Sequence, residues 1–162
     1  MKRHFYAWAG IAGIYTIILT GSPHAADVSS MFKTPAPAAD AQNSPMALGR
    51  KAVDKKDWNE ALKQFTAAVE QNPRDADAQN MLAYANRKLK RYDAAFLHYC
   101  LALEIDPKHL GAHEYMGKAY AETGKLDRAE EHLKALEQIC GKQCEQYRDL
   151  HEAIAKAKKK SG

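Results

Sequence analysis

The 162-residue chain lacks every common catalytic signature: it has no glycine-rich phosphate loop, no Ser-His-Asp arrangement and no paired-carboxylate pattern. Hydrolytic and phosphoryl-transfer chemistry therefore have no recognisable centre, and an enzyme is not expected. Cysteine is scarce, with Cys100, Cys140 and Cys144 only. The run Cys140-Gly141-Lys142-Gln143-Cys144 is not Cys-x-x-Cys, no histidine follows the second cysteine, and no zinc-type ligand set lies nearby. These absences argue against a thioredoxin-like motif, covalent haem attachment and a zinc site, so no cofactor or metal is expected. Charge of one sign is missing too. Without Lys2 and Arg3, 22 basic residues face 20 acidic ones, which leaves no strong field to collect nucleic acid or an anionic membrane. Long apolar runs are limited to about Phe5–Leu19, short of the roughly 20 residues of a spanning helix.

That run gives the N-terminus its meaning. Lys2, Arg3 and His4 precede it, and Ser22-Pro23-His24-Ala25-Ala26-Asp27 follows. The order reads as a secretory signal peptide over 1–26, cleaved after Ala25 or Ala26. Pro23 or His24 would stand three residues before the cut, neither of them small, so an uncleaved membrane anchor is the competing reading. Either way the rest of the chain is expected outside the cytoplasm, periplasmic or secreted. Residues 27–44, rich in Ala, Pro, Ser and Asp, read as a disordered linker with too little apolar mass to offset ordering entropy.

What is present is a period of 34. Gly49, Ala83 and Gly117 are spaced by it, as are Ala61, Ala95 and Ala129, then Phe65, Tyr99 and Leu133, then Ala68, Ala102 and Leu136, then Pro73, Pro107 and Gly141. A period held at five positions marks three copies of one helical hairpin. The spacing predicts helix pairs at about 43–54 with 58–71, 77–88 with 92–105, and 110–122 with 126–139. Small residues of first helices are expected against small residues of second helices, where axes approach to ~8 Å, with Trp58, Phe65, Tyr92, Tyr99, Leu126 and Leu133 of second helices filling the space alongside. Asp57-Trp58-Asn59-Glu60 has capping-box spacing, and Asn72-Pro73 and Asp106-Pro107 should end second helices. Glu145 to Lys159 forms a further amphipathic helix with a stripe of Tyr147, Leu150 and Ile154.

On these residues the chain resembles the tetratricopeptide repeat (TPR) family over about 42–143. The resemblance implies an all-α helical-hairpin superhelix at 45–160, with repeats at about 42–75, 76–109 and 110–143 and a capping helix at 144–159. There are departures. Where the family often places Trp early in the first helix, this chain has Pro45, Gln79 and His113, and the first helix is expected to fray at Pro45. The aromatic one turn beyond the small residue is present only as Tyr120, with Ala52 and Asn86 at the equivalent places.

The family's usual contact positions map onto Met46, Arg50 and Val53, then Asn80, Tyr84 and Arg87, then Glu114, Lys118 and Ala121. A protein or peptide ligand in the concave groove is implied, and for any single residue an ordinary solvated role weighs as much. The family's basic clamp for a chaperone C-terminus is mostly absent, its places being taken by Met46, Arg50, Met81, Gly111 and Tyr115. Cys140 and Cys144 read as a disulfide staple fixing the capping helix, with Gly141 bending the chain between them. Cys100 reads as a packed residue. His109 and His113, four apart, lack the Glu of a metalloprotease pattern, and His98 and His132 follow from the repeat. The terminal lysines suit a helix C-terminus. The sequence thus points to an exported TPR adaptor binding a protein or peptide in the cell envelope. Its rivals are a thiol–disulfide protein using Cys140 and Cys144, and a membrane-anchored structural spacer.

Overall fold

The computed structural model describes residues 42–161. The expected signal segment and the linker up to residue 41 lie outside the described residues. Seven helices and no strand occupy the described part: α1 Pro45–Asp54, α2 Trp58–Gln71, α3 Ala76–Lys88, α4 Tyr92–Ile105, α5 Leu110–Glu122, α6 Leu126–Cys140 and α7 Glu145–Ser161. Each helix packs on its successor, and the first helices also touch one another, α3 against α5 and α5 against α7. The result is an all-α solenoid of three hairpins plus a closing helix.

Local chemistry sets the boundaries. Ser44 Oγ accepts from Ala47 N at 3.2 Å, and Pro45 takes the first helical position. A missing N–H is harmless there, so α1 starts at Pro45 rather than fraying. Asp57 caps α2 by accepting from Glu60 N at 3.1 Å. The reciprocal half of the expected capping box is not made: Glu60 accepts from Gln64 at 2.7 Å, and Asp57 N donates to Ala52 O at 2.9 Å. Asp75 caps α3 and, less commonly for a cap, His109 Nδ1 caps α5, accepting from Ala78 N at 3.0 Å and Ala112 N at 3.2 Å. Each hairpin bends through one left-handed residue, again spaced by the repeat: Lys56 (φ 58°), Lys90 (φ 63°) and Gly124 (φ 78°). Only the third uses the residue type suited to that conformation.

The core forms three clusters, each joining one hairpin to the helix that follows it. Ala61, Ala95 and Ala129 are fully buried, as are Phe65 and Tyr99. The two first-helix glycines make room for something larger than the expected alanines. A Cβ on Gly49 would overlap the Phe65 ring, and one on Gly117 would overlap the methyls of Leu150 on α7. Leu150 and Ile154, with half-buried Tyr147, seat α7 on the third hairpin alongside Leu136 and Ala129. At that junction Cys140 and Cys144 have Cα atoms 5.9 Å apart and their sulfurs at bonding distance.

The position where the family often carries Trp holds a repeated polar link instead. Gln79 Nε2 donates to Pro73 O at 2.9 Å while its Oε1 meets His98 Nδ1 at 2.8 Å. One repeat later, His113 Nε2 meets Pro107 O at 3.1 Å while its Nδ1 meets His132 Nδ1 at 3.0 Å. The carbonyl partner assigns the proton of His113 to Nε2, so His132 donates from Nδ1. Gln79 and His113 thus tie α4 and α6 to the proline loops that precede their hairpins.

Candidate functional site

On the side lined by first helices, aromatic rings from three successive hairpins meet. Trp58, at the start of α2, lies edge-on to Tyr84 of α3 with centroids 5.9 Å apart. Tyr84 in turn lies 4.9 Å from Tyr115 of α5. Cations accompany the rings. Lys88 Nζ is 4.9 Å from the Trp58 centroid, and the Arg87 guanidinium lies 5.3 Å from Tyr84 and 5.8 Å from Tyr115. Lys118 Nζ is 5.9 Å from Tyr115. All three rings are partly exposed, so each keeps surface for another molecule.

Arg87 anchors this patch. Only 6% of it is exposed, and its Nη1 donates to Glu122 Oε1 at 2.6 Å. Glu122 also accepts from the Tyr92 hydroxyl at 3.1 Å. Burial alone would lower the Arg87 pKa, but the Tyr99 and Glu122 partners outweigh it and the guanidinium is held firmly charged. The Tyr99 hydroxyl lies close enough to feel that charge, yet neither it nor Arg87 Nε completes a hydrogen bond of good geometry. A second network sits beside the first: Lys118 donates to Glu114 at 2.6 Å and to Asp149 of α7 at 3.1 Å. Burial raises the Glu114 pKa, against the pull of Lys118.

The nine residues singled out by sequence separate into three groups. Tyr84, Arg87, Glu114 and Lys118 come together in these networks. Met46 and Val53 pack on the first hairpin's core, Ala121 is buried with the third, and Asn80 is buried with its Nδ2 beside Gly111 and its Oδ1 unpartnered. Arg50 stands exposed on α1 and makes no ion pair among the described residues. Sequence reasoning missed Trp58 and Tyr115. Trp58 was expected only as core filler and Tyr115 only as a residue departing from the clamp. The signal that could have found Tyr115 is its place three residues before Lys118, which puts both on one helical face.

The histidine and cysteine alternatives fare differently. His109 spends Nδ1 on the α5 cap and Nε2 on Asp77 at 3.1 Å, so it does not pair with His113. Among the described residues no group of three or more His, Cys, Asp or Glu is placed to hold a metal. Cys100 is exposed on α4 rather than packed. No described helix is long and apolar enough to cross a membrane.

Comparison with known proteins agrees with this geometry. Two family models, both described as tetratricopeptide repeat, match residues 46–109 and 87–154. The chain is 32% identical over 93 residues to the small glutamine-rich tetratricopeptide repeat-containing protein 2 of Saccharomyces cerevisiae, covering 57% of this chain and 27% of that protein. It is 30% identical over 88 residues to the protein bimA of Emericella nidulans, 54% of this chain and 11% of that one. The chain thus spans about a quarter or less of these curated relatives. Among solved structures it is similar to the TPR2B domain of yeast Sti1 in a complex with pHsp70, with TM-score 0.65 and 22% identity over 75% of this chain and 99% of that one. It is also similar to PcrH in complex with the chaperone-binding region of PopD, with TM-score 0.64 and 18% identity over 78% and 97%. With the helical hairpins, their 34-residue register and both family models in agreement, the chain belongs to the tetratricopeptide repeat family.

Proposed function

We propose that this protein is an exported adaptor that holds a protein or peptide segment against the face lined by its first helices. One observation carries the reading: Trp58, Tyr84 and Tyr115 form a partly exposed aromatic line, with the buried Arg87 packed against two of the rings and held by its ion pair with Glu122. Tyr, Trp and Arg are the residue types that most often dominate binding energy, and rings already held in place lose little freedom on binding. Two structural neighbours are complexes, one of a TPR2B domain with pHsp70 and one of PcrH with the chaperone-binding region of PopD, which supports a protein or peptide ligand here by analogy of fold. Export rests on Lys2, Arg3, His4 and the apolar run behind them, and places the adaptor in the cell envelope or outside the cell. In that setting Cys140 and Cys144 serve as an oxidised staple for α7.

Crosslinking in intact cells, followed by capture of the protein, tests the reading. The wild type should retain a defined partner that a Tyr84→Ala, Tyr115→Ala double variant loses while its helical circular dichroism stays intact. Equal capture by both would refute it. The intact mass of the captured protein tests export, a mature chain beginning at Ala26 or Asp27 being the expected species.

A further inference from the structure

Next to the aromatic line lies a cleft of about 550 Å³ between the third hairpin and α7, closed on one side by the turn of the second hairpin. Lys90, Tyr92, Lys118, Glu122, Lys156 and Lys160 are among its lining residues. Four lysines thus surround a single carboxylate, and the existing ion pairs leave most of that charge unanswered. Glu122 is committed to Arg87 at 2.6 Å and only approaches Lys90, at 3.8 Å. Lys118 is satisfied by Glu114 and Asp149. Lys156 and Lys160 form no ion pair among the described residues, whereas Lys158, between them on the other side of α7, pairs with Glu130 at 2.6 Å.

A favourable helix dipole explains cations at the end of α7 but not their division between faces. Lys156 and Lys160 are four residues apart, a like-charge spacing that weakens an isolated helix. Positive charge gathered in a concave cleft whose one carboxylate, Glu122, is already paired with Arg87 is suited to a ligand that brings its own. The cleft also adjoins the rings, since Lys118 borders both it and Tyr115.

We infer that the segment bound by the adaptor is acidic, and that carboxylates of the partner enter the lysine cleft between the third hairpin and α7 while an apolar side chain lies on Tyr84 and Tyr115. The inference rests on the adaptor reading and gives it a ligand chemistry. It also makes α7 part of the binding site as well as a cap. An acidic protein segment is favoured over nucleic acid because the three rings meet edge-on or tilted, with no row of parallel faces on which successive bases could stack. The near balance of basic and acidic residues gives no long-range field either.

The test uses the mature full chain and a fluorescein-labelled peptide of one leucine followed by six glutamates, read by fluorescence anisotropy against the same peptide with six glutamines. The glutamate peptide should bind at least tenfold more tightly, and that preference should shrink as salt is raised. Lys156→Glu with Lys160→Glu, both exposed and unpaired, should abolish the preference without changing the helical circular dichroism. Tyr115→Ala should weaken both peptides. The inference is overturned if the two peptides bind alike, if the lysine variant keeps the preference, or if inorganic polyphosphate or a single-stranded oligonucleotide binds the cleft as tightly as the glutamate peptide. Partner capture in cells separates this failure from that of the adaptor reading. A partner lost with the tyrosines but kept by the lysine variant leaves the adaptor standing and sinks the acidic ligand.

Discussion

Acid should destabilise this fold through one histidine, and the size of the effect follows from its surroundings. His132 is held down to about 4 from an ordinary 6.5, first by burial and then by the neighbouring His113. Glu131 pulls the other way, Arg128 adds to the depression, and the Tyr120 ring stacks 5.6 Å from the imidazole. A base with a depressed folded-state pKa is neutral in the fold and protonated in the unfolded chain throughout that interval. The unfolded state then binds more protons, so stability is full above about pH 6.5 and falls as pH drops toward about 4. Between pH 7.5 and 4.5 the loss from this site is about 2.5 kcal/mol, a large part of the stability of a small domain. His98, also lowered by burial, adds in the same direction, whereas Glu114, raised by burial, acts in the opposite one. A His132→Asn substitution isolates the site, because the amide stands where Nδ1 does and can still donate to His113 Nδ1 but does not titrate. Urea unfolding at the two pH values is the assay. The wild type should lose about 2 kcal/mol more than the variant on acidification, and equal losses would refute the assigned environment of His132.

Two further outcomes probe the packing. Ala95 is fully buried in the middle hairpin, so Ala95→Glu should cost roughly 3–5 kcal/mol, the scale of an uncompensated buried charge, and an unchanged melting temperature would contradict the core described. Cys140 and Cys144 close a loop much shorter than 15 residues, so replacing both with Ser should cost less than ~3 kcal/mol overall. The loss should be local, with faster hydrogen exchange at 144–159 and unchanged exchange around Tyr84.

The sequence made the scaffold legible because its boundaries are set locally. Asp57, the Asn72-Pro73 and Asp106-Pro107 stops, and the 34-residue register placed six of the seven helix starts within a residue. The exception was Pro45, whose effect depends on whether it falls inside a helix or at its first position, a difference of two residues here. The left-handed residues were harder. Gly124 carries the usual mark, but Lys56 and Lys90 take the same conformation with no compositional sign, held there by the hairpins they join. The partners of Gly49 and Gly117 were also hidden, since a missing Cβ says that something approaches without saying what.

The site was legible only in part. Mapping the family's contact positions picked out Tyr84, Arg87, Glu114 and Lys118, which the structure brings together, because residues on one face of a helix can be counted from its start. It did not reveal that Met46, Val53 and Ala121 turn into packing contacts, which depends on how far each hairpin is rotated against the next. Trp58 and Tyr115 escaped for the same reason: their rings meet Tyr84 only once three hairpins are stacked.

Site-specific photo-crosslinking in intact cells distinguishes the face lined by first helices from the rest of the surface. A crosslinking residue at position 84 sits on the aromatic line, and one at position 97 replaces Leu97, 58% exposed on α4 outside that line. Partner binding along the first helices predicts a defined covalent adduct from position 84 and none from position 97. An adduct from position 97 alone would contradict it.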